Sequence, residues 1–251
     1  MADTPRGYVI LGGSGDTGSH VARSLRAAGH DVMIASRPSE RLQSVAAELD
    51  APSQEVDAAD IAAVEACFAA AKEQFGRLDG AVNCVGSVLL KPAHLTSDDE
   101  WQDTLARNLT SAFATVRAAG KTMLAEGGSI VLMSSAAARI GLANHEAIAA
   151  AKAGVIGLAK SASATYAGKG IRVNAVAPGL VKTKLTEKIW NNERAAASST
   201  AMHPVGRLGE PAEIASLITW LLDPANAWVT GEVFSVDGGL ATLKATSRAG
   251  R

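Results

Sequence analysis

The stretch Tyr8-Val-Ile-Leu-Gly-Gly-Ser-Gly-Asp-Thr-Gly18 decides the fold of this 251-residue chain. Its apolar start, Tyr8 to Leu11, is typical of a buried strand, and Val21 to Ala28 beyond it has the composition of a helix that Gly29 would end. Between the two, Gly13-x-Gly15-x-x-Gly18 allows a tight turn and a close approach to a pyrophosphate, which the amino end of a helix attracts. The stretch therefore predicts a strand–loop–helix unit that binds a dinucleotide.

Strand-like and helix-like segments alternate along the rest of the chain. Ser97 and Glu100 form a capping-box pair at the start of a long helix, and Pro211 suits the first residue of a late helix. Alternation of this kind indicates parallel pairing. We expect one α/β domain over residues 1–251, a doubly wound Rossmann-type and mostly parallel sheet of about seven strands with helices on both faces. The further strands are predicted at 31–35, 53–56, 79–84, 129–133, 171–176 and 231–236, and the helices at 39–49, 60–75, 97–126, 147–167 and 211–222.

Bulk composition excludes several classes of protein. The net charge is −1, which argues against a general nucleic-acid or anionic-membrane surface. No apolar run approaches the ~18 residues that span a bilayer, and the first residues lack the pattern of a signal peptide. Cys67 and Cys84 have the spacing of neither a metal site nor a disulfide framework, so we expect two buried thiols, no metal and a cytoplasmic protein.

The end of the second predicted strand bears on the choice of cofactor. An acidic residue there would bind the adenosine ribose hydroxyls, but this chain has Ser36-Arg37. Arginine can make a bidentate, charge-assisted contact with a 2′-phosphate. The pair favours NADP(H) over NAD(H); the alternative is a surface Arg37 paired with Glu40.

The order of the later motifs resembles the compact single-domain branch of the short-chain dehydrogenase/reductase family, in which reductases of 3-oxoacyl thioesters are found. The resemblance covers about residues 7–240. It is carried by Asp57-Ala-Ala-Asp60, Asn83-Cys-Val-Gly86, Arg107-Asn-Leu-Thr110, Ser134-Ser135, Gly170-Ile-Arg-Val-Asn-Ala-Val-Ala-Pro-Gly-Leu-Val-Lys-Thr183, Pro204-Val-Gly-Arg-Leu-Gly-Glu-Pro211 and Gly231-Glu-Val-Phe-Ser-Val-Asp-Gly-Gly239.

The resemblance implies a set of cofactor-binding residues. One of them departs from the pattern, because the compact branch has glycine where this chain has Asp16. A carboxylate aimed at a pyrophosphate would be repulsive, so we expect Asp16 to turn away or to weaken cofactor binding. The implied set is Gly12, Ser14, Asp16, Thr17, Gly18, Ser36, Arg37, Asp57, Asn83, Gly86, Lys152, Pro178, Val181 and Thr183.

The same resemblance implies that Ser135, Lys152 and Asn108 are catalytic residues. It also implies that one catalytic residue of the family is replaced in this chain. In the family a tyrosine lies four residues before the lysine, on the same helix face, and acts as the general acid or base. That position is Ile148 here. Tyr8 belongs to the first strand and Tyr166 to the far end of the helix, so neither is expected to reach Ser135 and Lys152 together.

Several interpretations of Ile148 stay open. His145, three residues earlier, could replace the tyrosine, or it could be an ordinary capping or surface residue. Ser135 and a water on Lys152 could suffice for a reactive substrate. The chain could also bind NADP(H) without turnover, as a sensor or partner subunit, or it could be a non-redox enzyme that uses the same pocket.

The sequence gives less direct evidence on the substrate and on the oligomeric state than on the cofactor. We expect a small carbonyl or alcohol substrate, met by residues 87–95, 136–145 and 184–206. The last of these is either a lid or a surface helix with loops. The resemblance implies a homo-oligomer, a tetramer, paired along helices 97–126 and 147–167, which are rich in small residues.

Overall fold

The computed structural model describes residues 4–244, and its centre is a parallel sheet of seven strands in the order β3-β2-β1-β4-β5-β6-β7. Each neighbouring pair is parallel. This confirms the predicted fold class. The strands are β1 (Gly7–Leu11), β2 (Asp31–Ser36), β3 (Ser53–Glu55), β4 (Gly80–Asn83), β5 (Gly128–Met133), β6 (Ile171–Pro178) and β7 (Val233–Val236).

Helices cover both faces of the sheet and enclose two apolar cores. One core places Phe68 and Val155 against the sheet, and the other places Leu25 and Ile218 on the opposite face. Because both faces are covered, the central strands are largely buried, and β1 and β4 are buried at every position. The helices are α1 (Asp16–Ala27), α2 (Glu40–Leu49), α3 (Ile61–Phe75), α4 (Asp98–Leu105), α5 (Ser111–Thr122), α6 (Glu146–Tyr166), α7 (Glu187–Trp190), α8 (Glu193–Met202) and α9 (Pro211–Leu222).

The long helix predicted over 97–126 is divided. It begins at the predicted capping box, in which Ser97 and Glu100 exchange hydrogen bonds. A π-helical turn, Ala106–Thr110, separates α4 from α5, and α5 ends at Thr122, where Lys72 binds the released carbonyl. The predicted end at 126 is therefore wrong. An extra residue in a helical turn is frequent at functional sites, and this one contains Asn108.

The segment 184–206 carries two of the short helices. Here α7 and α8 follow a 3₁₀ turn, Lys184–Thr186, and the indole nitrogen of Trp190 donates to the carbonyl of Thr183 at 2.8 Å. Its function as a lid stays a prediction.

Candidate active site

Successive strands are added on one side of β1 up to β3 and on its other side from β4 onward. A cleft opens between β1 and β4 at the carboxyl ends of these strands. The chain winds outward from β1 through β2 to β3, then returns to the other side of β1 as β4. Ligands of doubly wound sheets bind at such a crevice. A cavity of about 590 Å³ lies there. It is lined by Leu11, Gly12, Ser14, Gly15, Ala35, Ser36, Arg37, Pro38, Ser39, Val56, Asp57, Ala58, Ala59, Cys84, Val85, Gly86, Arg107 and Leu185.

The glycine loop forms one wall of this cavity. Gly12 has φ +74°, and a Cβ there would lie 2.9 Å from the carbonyl carbon of Cys84. A Cβ at Gly18 would collide with the Gly12 carbonyl. The two glycines thus let the loop fold tightly against β4 and present the amino end of α1 to the cleft, as a pyrophosphate requires. Thr17 lies beside Gly18 in the first turn of α1.

The adenosine end of the cavity contains the predicted selectivity residues. Ser36 accepts a hydrogen bond from the Ser14 amide at 3.1 Å, which joins the end of β2 to the glycine loop. Arg37 is exposed at the rim, and no ion pair joins it to Glu40 within residues 4–244. Asp57 lines the same end and accepts from the Ala59 amide at 3.0 Å.

Asp16 turns its side chain away from the cavity. One carboxylate oxygen contacts Arg41 on α2 at 2.5 Å, and the other accepts from the backbone amide of Lys184 at 2.6 Å. Only its backbone is left to face a pyrophosphate, which is the outcome expected for a carboxylate at this position.

At the end of β4, Asn83 supports the site from behind. It is buried, donates to the hydroxyls of Ser111 and Thr115 on α5, and accepts from the Val85 amide. These bonds fix the turn that leads to Gly86, so the predicted role of Asn83 in cofactor binding is indirect.

Gly86 brings the predicted site residues together. A Cβ at this position would lie 2.9 Å from Asn108 Oδ1 and 3.6 Å from Lys152 Nζ. Asn108 is buried in the π turn; its side chain donates to Ser87 Oγ and accepts from the Ser87 amide. The absence of a side chain at 86 therefore lets the loop after β4 lie directly on Asn108 and Lys152.

Lys152 is a buried cation beside the cavity. Its ammonium donates to the carbonyl of Met133 at 2.8 Å. Burial lowers the pKa of Lys152 to about 8, and the nearby Cys84 opposes this slightly. Burial likewise raises the pKa of the Cys84 thiol to about 12. Cys84 itself is only partly buried, whereas its sequence context predicted a fully buried thiol. At neutral pH the site thus holds an ammonium and a thiol.

Ser135 follows β5 by two residues and stands near the carbonyl that Lys152 binds. Its hydroxyl accepts from the Ala137 amide at 3.1 Å, which orients it at the start of a 3₁₀ turn. Its neighbour Ser134 is buried and donates to the Lys152 carbonyl, which fixes α6 to the end of β5. The two serines thus have different environments, and Ser135 is the less buried one.

No phenol is present at this site. Ile148 is buried in the first turn of α6, one turn before Lys152. Tyr8 is buried in β1, and burial raises its pKa to about 12. Tyr166 lies about 21 Å along the helix from Lys152 and packs on Gly120 of α5. Both tyrosines of the chain are therefore placed elsewhere, as expected.

His145 precedes the first residue of α6, one turn before Ile148, and its side chain makes no capping hydrogen bond. Its Nδ1 lies 2.7 Å from the carbonyl of Ala143. A carbonyl oxygen can only accept, so Nδ1 carries the proton and the neutral ring has its lone pair on Nε2. Asn144, with φ +62°, accepts a hydrogen bond from the Lys91 amide at its own backbone carbonyl.

The loop after β6 contains the remaining predicted cofactor residues. Pro178 ends β6, Val181 forms an isolated bridge with Gly209, and Thr183 begins the 3₁₀ turn before α7. Sequence reasoning missed His203, which is buried; its Nε2 accepts from the Leu180 amide at 3.1 Å and its Nδ1 contacts the Ser199 carbonyl. Only the fold reveals this contact, because the partners lie 23 residues apart.

The described residues contain neither a candidate metal site nor a candidate membrane span. In the part of the chain from 4 to 244, no group of three or more His, Cys, Asp or Glu is placed to hold a metal ion. None of the helices in that part has the length and apolar character needed to cross a membrane.

Comparisons with known proteins identify the family of the chain. A family model described as enoyl-(acyl carrier protein) reductase matches residues 16–241. D-threitol dehydrogenase of Mycolicibacterium smegmatis is 35% identical over 237 residues, 92% of this chain and 91% of that protein. A protein of Xanthobacter autotrophicus named inactive 2-(S)-hydroxypropyl-CoM dehydrogenase 2 is 35% identical over 230 residues, 89% of this chain and 100% of that protein.

A solved structure adds the bound cofactor of a related protein. An actinorhodin polyketide ketoreductase variant with NADPH superposes with a TM-score of 0.89 and 30% identity, covering 97% of this chain and 100% of that one.

Proposed function

Because the chain belongs to the short-chain dehydrogenase/reductase family, as its motifs indicate, we propose that it is an NADP(H)-dependent oxidoreductase that interconverts a small carbonyl compound and its alcohol without a catalytic tyrosine. The observation that carries the proposal is the convergence of Asn108 and Lys152 on Gly86 at one end of the cleft. We also propose that the protein acts in the cytoplasm.

Several features support NADP(H) as the cofactor. The cavity of about 590 Å³ extends from Asp57 to Gly86, and its glycine loop leaves room for a pyrophosphate. Arg37 is exposed at its rim, with no ion pair to Glu40 to compete with a 2′-phosphate. The related ketoreductase was solved with NADPH. NAD(H) lacks the group that Arg37 would bind and is the weaker ligand in this proposal.

The chain's own residues then have separate roles. Lys152 binds the nicotinamide ribose, and Asn108 holds the loop after β4 against it. When bound, the nicotinamide supplies or accepts a hydride. Ser135 donates a hydrogen bond to the substrate oxygen, because its hydroxyl accepts from the Ala137 amide and keeps its own proton available.

His145 is the proposed proton carrier. Its Nδ1–H is engaged by Ala143, so Nε2 is the free nitrogen. In alcohol oxidation neutral His145 accepts the substrate proton at Nε2, and in carbonyl reduction the imidazolium returns it. Positioned proton transfer of this kind contributes about 10²–10⁴-fold to rate.

A panel experiment tests this function. The purified protein is mixed with NADPH and a set of small ketones, aldehydes and β-oxoacyl thioesters, and loss of the reduced nicotinamide is followed. We expect turnover by the wild type and none by Lys152→Met, because the variant removes the ribose contact. Equal rates for the wild type and Lys152→Met would refute the proposed site.

A second function is favoured by Ile148 and by the Xanthobacter relative that is named inactive. In this alternative the chain binds NADP(H) as a sensor or partner subunit and catalyses nothing. NADPH binding by a protein that turns over no member of the panel would favour it.

Assembly is proposed on the same family grounds. We propose a homotetramer paired along α4–α5 and α6, because the exposed face of α6 carries small residues such as Ala153, Gly157 and Ala164. At Gly157 a Cβ would meet nothing within 4 Å, so this face of α6 is open in the single chain.

A further inference from the structure

The segment from Thr183 to Trp190, here the 183–190 segment, lies against the cofactor cavity. Leu185 lines that cavity, although more than half of its surface is exposed. The base of the segment is fixed, because the Lys182 amide donates to the Gly209 carbonyl. Trp190 closes the segment internally through its bond to Thr183. Thr186 adds an internal bond to the base, so the remaining contact that holds Leu185 over the cavity comes from outside the segment.

Asp16 supplies that contact. Its two carboxylate oxygens bind different elements: one contacts Arg41 of α2, and the other accepts from the backbone amide of Lys184. The second bond crosses from the glycine loop to the residue directly before Leu185. One side chain thus joins α1, α2 and the 183–190 segment.

We propose that Asp16 is a positioning residue that latches the 183–190 segment across the cofactor cavity. The consequence for the cofactor rests on the proposed function: release of NADP(H) then requires the Lys184 amide to leave the carboxylate. The latch itself is a property of the polypeptide and needs no ligand.

The electrostatics of Asp16 agree with this role. Burial by itself would raise the pKa of the Asp16 carboxyl, but the bonds from the Lys184 amide and Arg41 hold it below its ordinary value. The carboxylate is therefore ionised and charge-paired at neutral pH. Arg41 also offsets the negative charge that a bare carboxylate would bring near a pyrophosphate. The family pattern has glycine here, and glycine could form neither bond.

The chain offers a matched control. Arg23 of α1 and Glu48 of α2 form another ion pair between the same two helices, and neither residue lines the cavity. Loss of that pair perturbs the α1–α2 contact without touching the 183–190 segment. Glu48→Gln therefore separates a latch from a general loosening of the two helices.

The first experiment uses amide hydrogen exchange on the full chain without ligand. We expect Asp16→Gly to raise the exchange rate of the Lys184 amide by about tenfold or more, because a hydrogen bond to a charged acceptor is lost. Asp16→Asn keeps an acceptor oxygen and is expected to give a smaller rise. Glu48→Gln is expected to leave the Lys184 amide unchanged. Equal exchange at Lys184 in the wild type and Asp16→Gly would overturn the latch.

The second experiment measures the release of NADPH, chased by excess NADP⁺ and followed by nicotinamide fluorescence. Asp16→Gly is expected to release NADPH about tenfold faster than the wild type and Glu48→Gln. Faster exchange at Lys184 with unchanged release would overturn closure over the cofactor. A wild type that binds no NADPH would refute the proposed function, and exchange at Lys184 would still decide whether Asp16 holds the segment.

Discussion

Replacement of Ile148 by tyrosine places a phenol at the position where the family resemblance implies one. A tyrosine at 148 would stand one helical turn before Lys152, with about 5–6 Å between the two Cβ atoms. Since Lys152 has a pKa of about 8, its ammonium predominates at neutral pH and would lower the pKa of the new phenol. We expect a rise in carbonyl reduction of ~10²-fold or more from positioned acid catalysis.

The tyrosine side chain is larger than that of Ile148, and the cost of packing it is expected to reduce this gain in rate. Ile148 is only 5% exposed, so the larger ring must displace its neighbours at a cost of ~1–3 kcal/mol of folding free energy. Ile148→Phe has the same ring without the hydroxyl and is the matched control. Melting temperatures of both variants report the packing cost separately from the chemistry.

The assay is NADPH-dependent reduction of the best substrate on the panel, measured in the wild type and in His145→Ala. The His145→Ala change is expected to cost ~10²-fold or more, and Ile148→Tyr is expected to restore the lost rate where Ile148→Phe does not. If folded Tyr and Phe variants that still bind NADPH have equal rates in both backgrounds, the reasoning about position 148 is refuted.

Other predictions concern the cofactor and the assembly. Arg37→Asp should remove or reverse a preference for NADPH over NADH in titrations, because the 2′-phosphate would meet a like charge; equal affinity of the wild type for both would contradict it. Gly86→Ala should weaken NADPH binding at least tenfold by equilibrium titration, because its Cβ would lie 2.9 Å from Asn108 Oδ1; unchanged affinity would argue against the convergence at Gly86. NADPH affinity should fall as pH rises through about 8, because Lys152 then loses the charge that binds the ribose. If the same fall in affinity is measured for Lys152→Met, another group causes the pH dependence. Light scattering at micromolar concentration should give the mass of a tetramer, and a monomeric mass would refute the assembly.

Local sequence signals predict the glycine loop and the starts of several helices well. The glycine loop, the Ser97–Glu100 capping box and Pro211 at the start of α9 act within a few residues of the chain, so their geometry can be inferred from residue type. The parallel pairing and the helices on both faces follow from the alternation of strands with helices and from the handedness of crossovers.

Contacts between distant segments could not be predicted in this way. The sequence predicted that Asp16 either turns away from a pyrophosphate or weakens cofactor binding. Its partners, Arg41 and Lys184, are identified only in the folded structure. The same holds for His203 and Leu180. The π turn around Asn108 was missed because its residues have ordinary helical composition.

Single-turnover hydride transfer tests the central claim most directly. The protein is loaded with NADPH below one equivalent, mixed with the panel of carbonyl compounds, and the fluorescence of the bound reduced nicotinamide is followed. We predict its loss with at least one compound in the wild type, and a decay at least ~10²-fold slower in His145→Ala with NADPH still bound. Bound NADPH that stays reduced with every compound in the wild type would contradict the claim that this chain is an oxidoreductase.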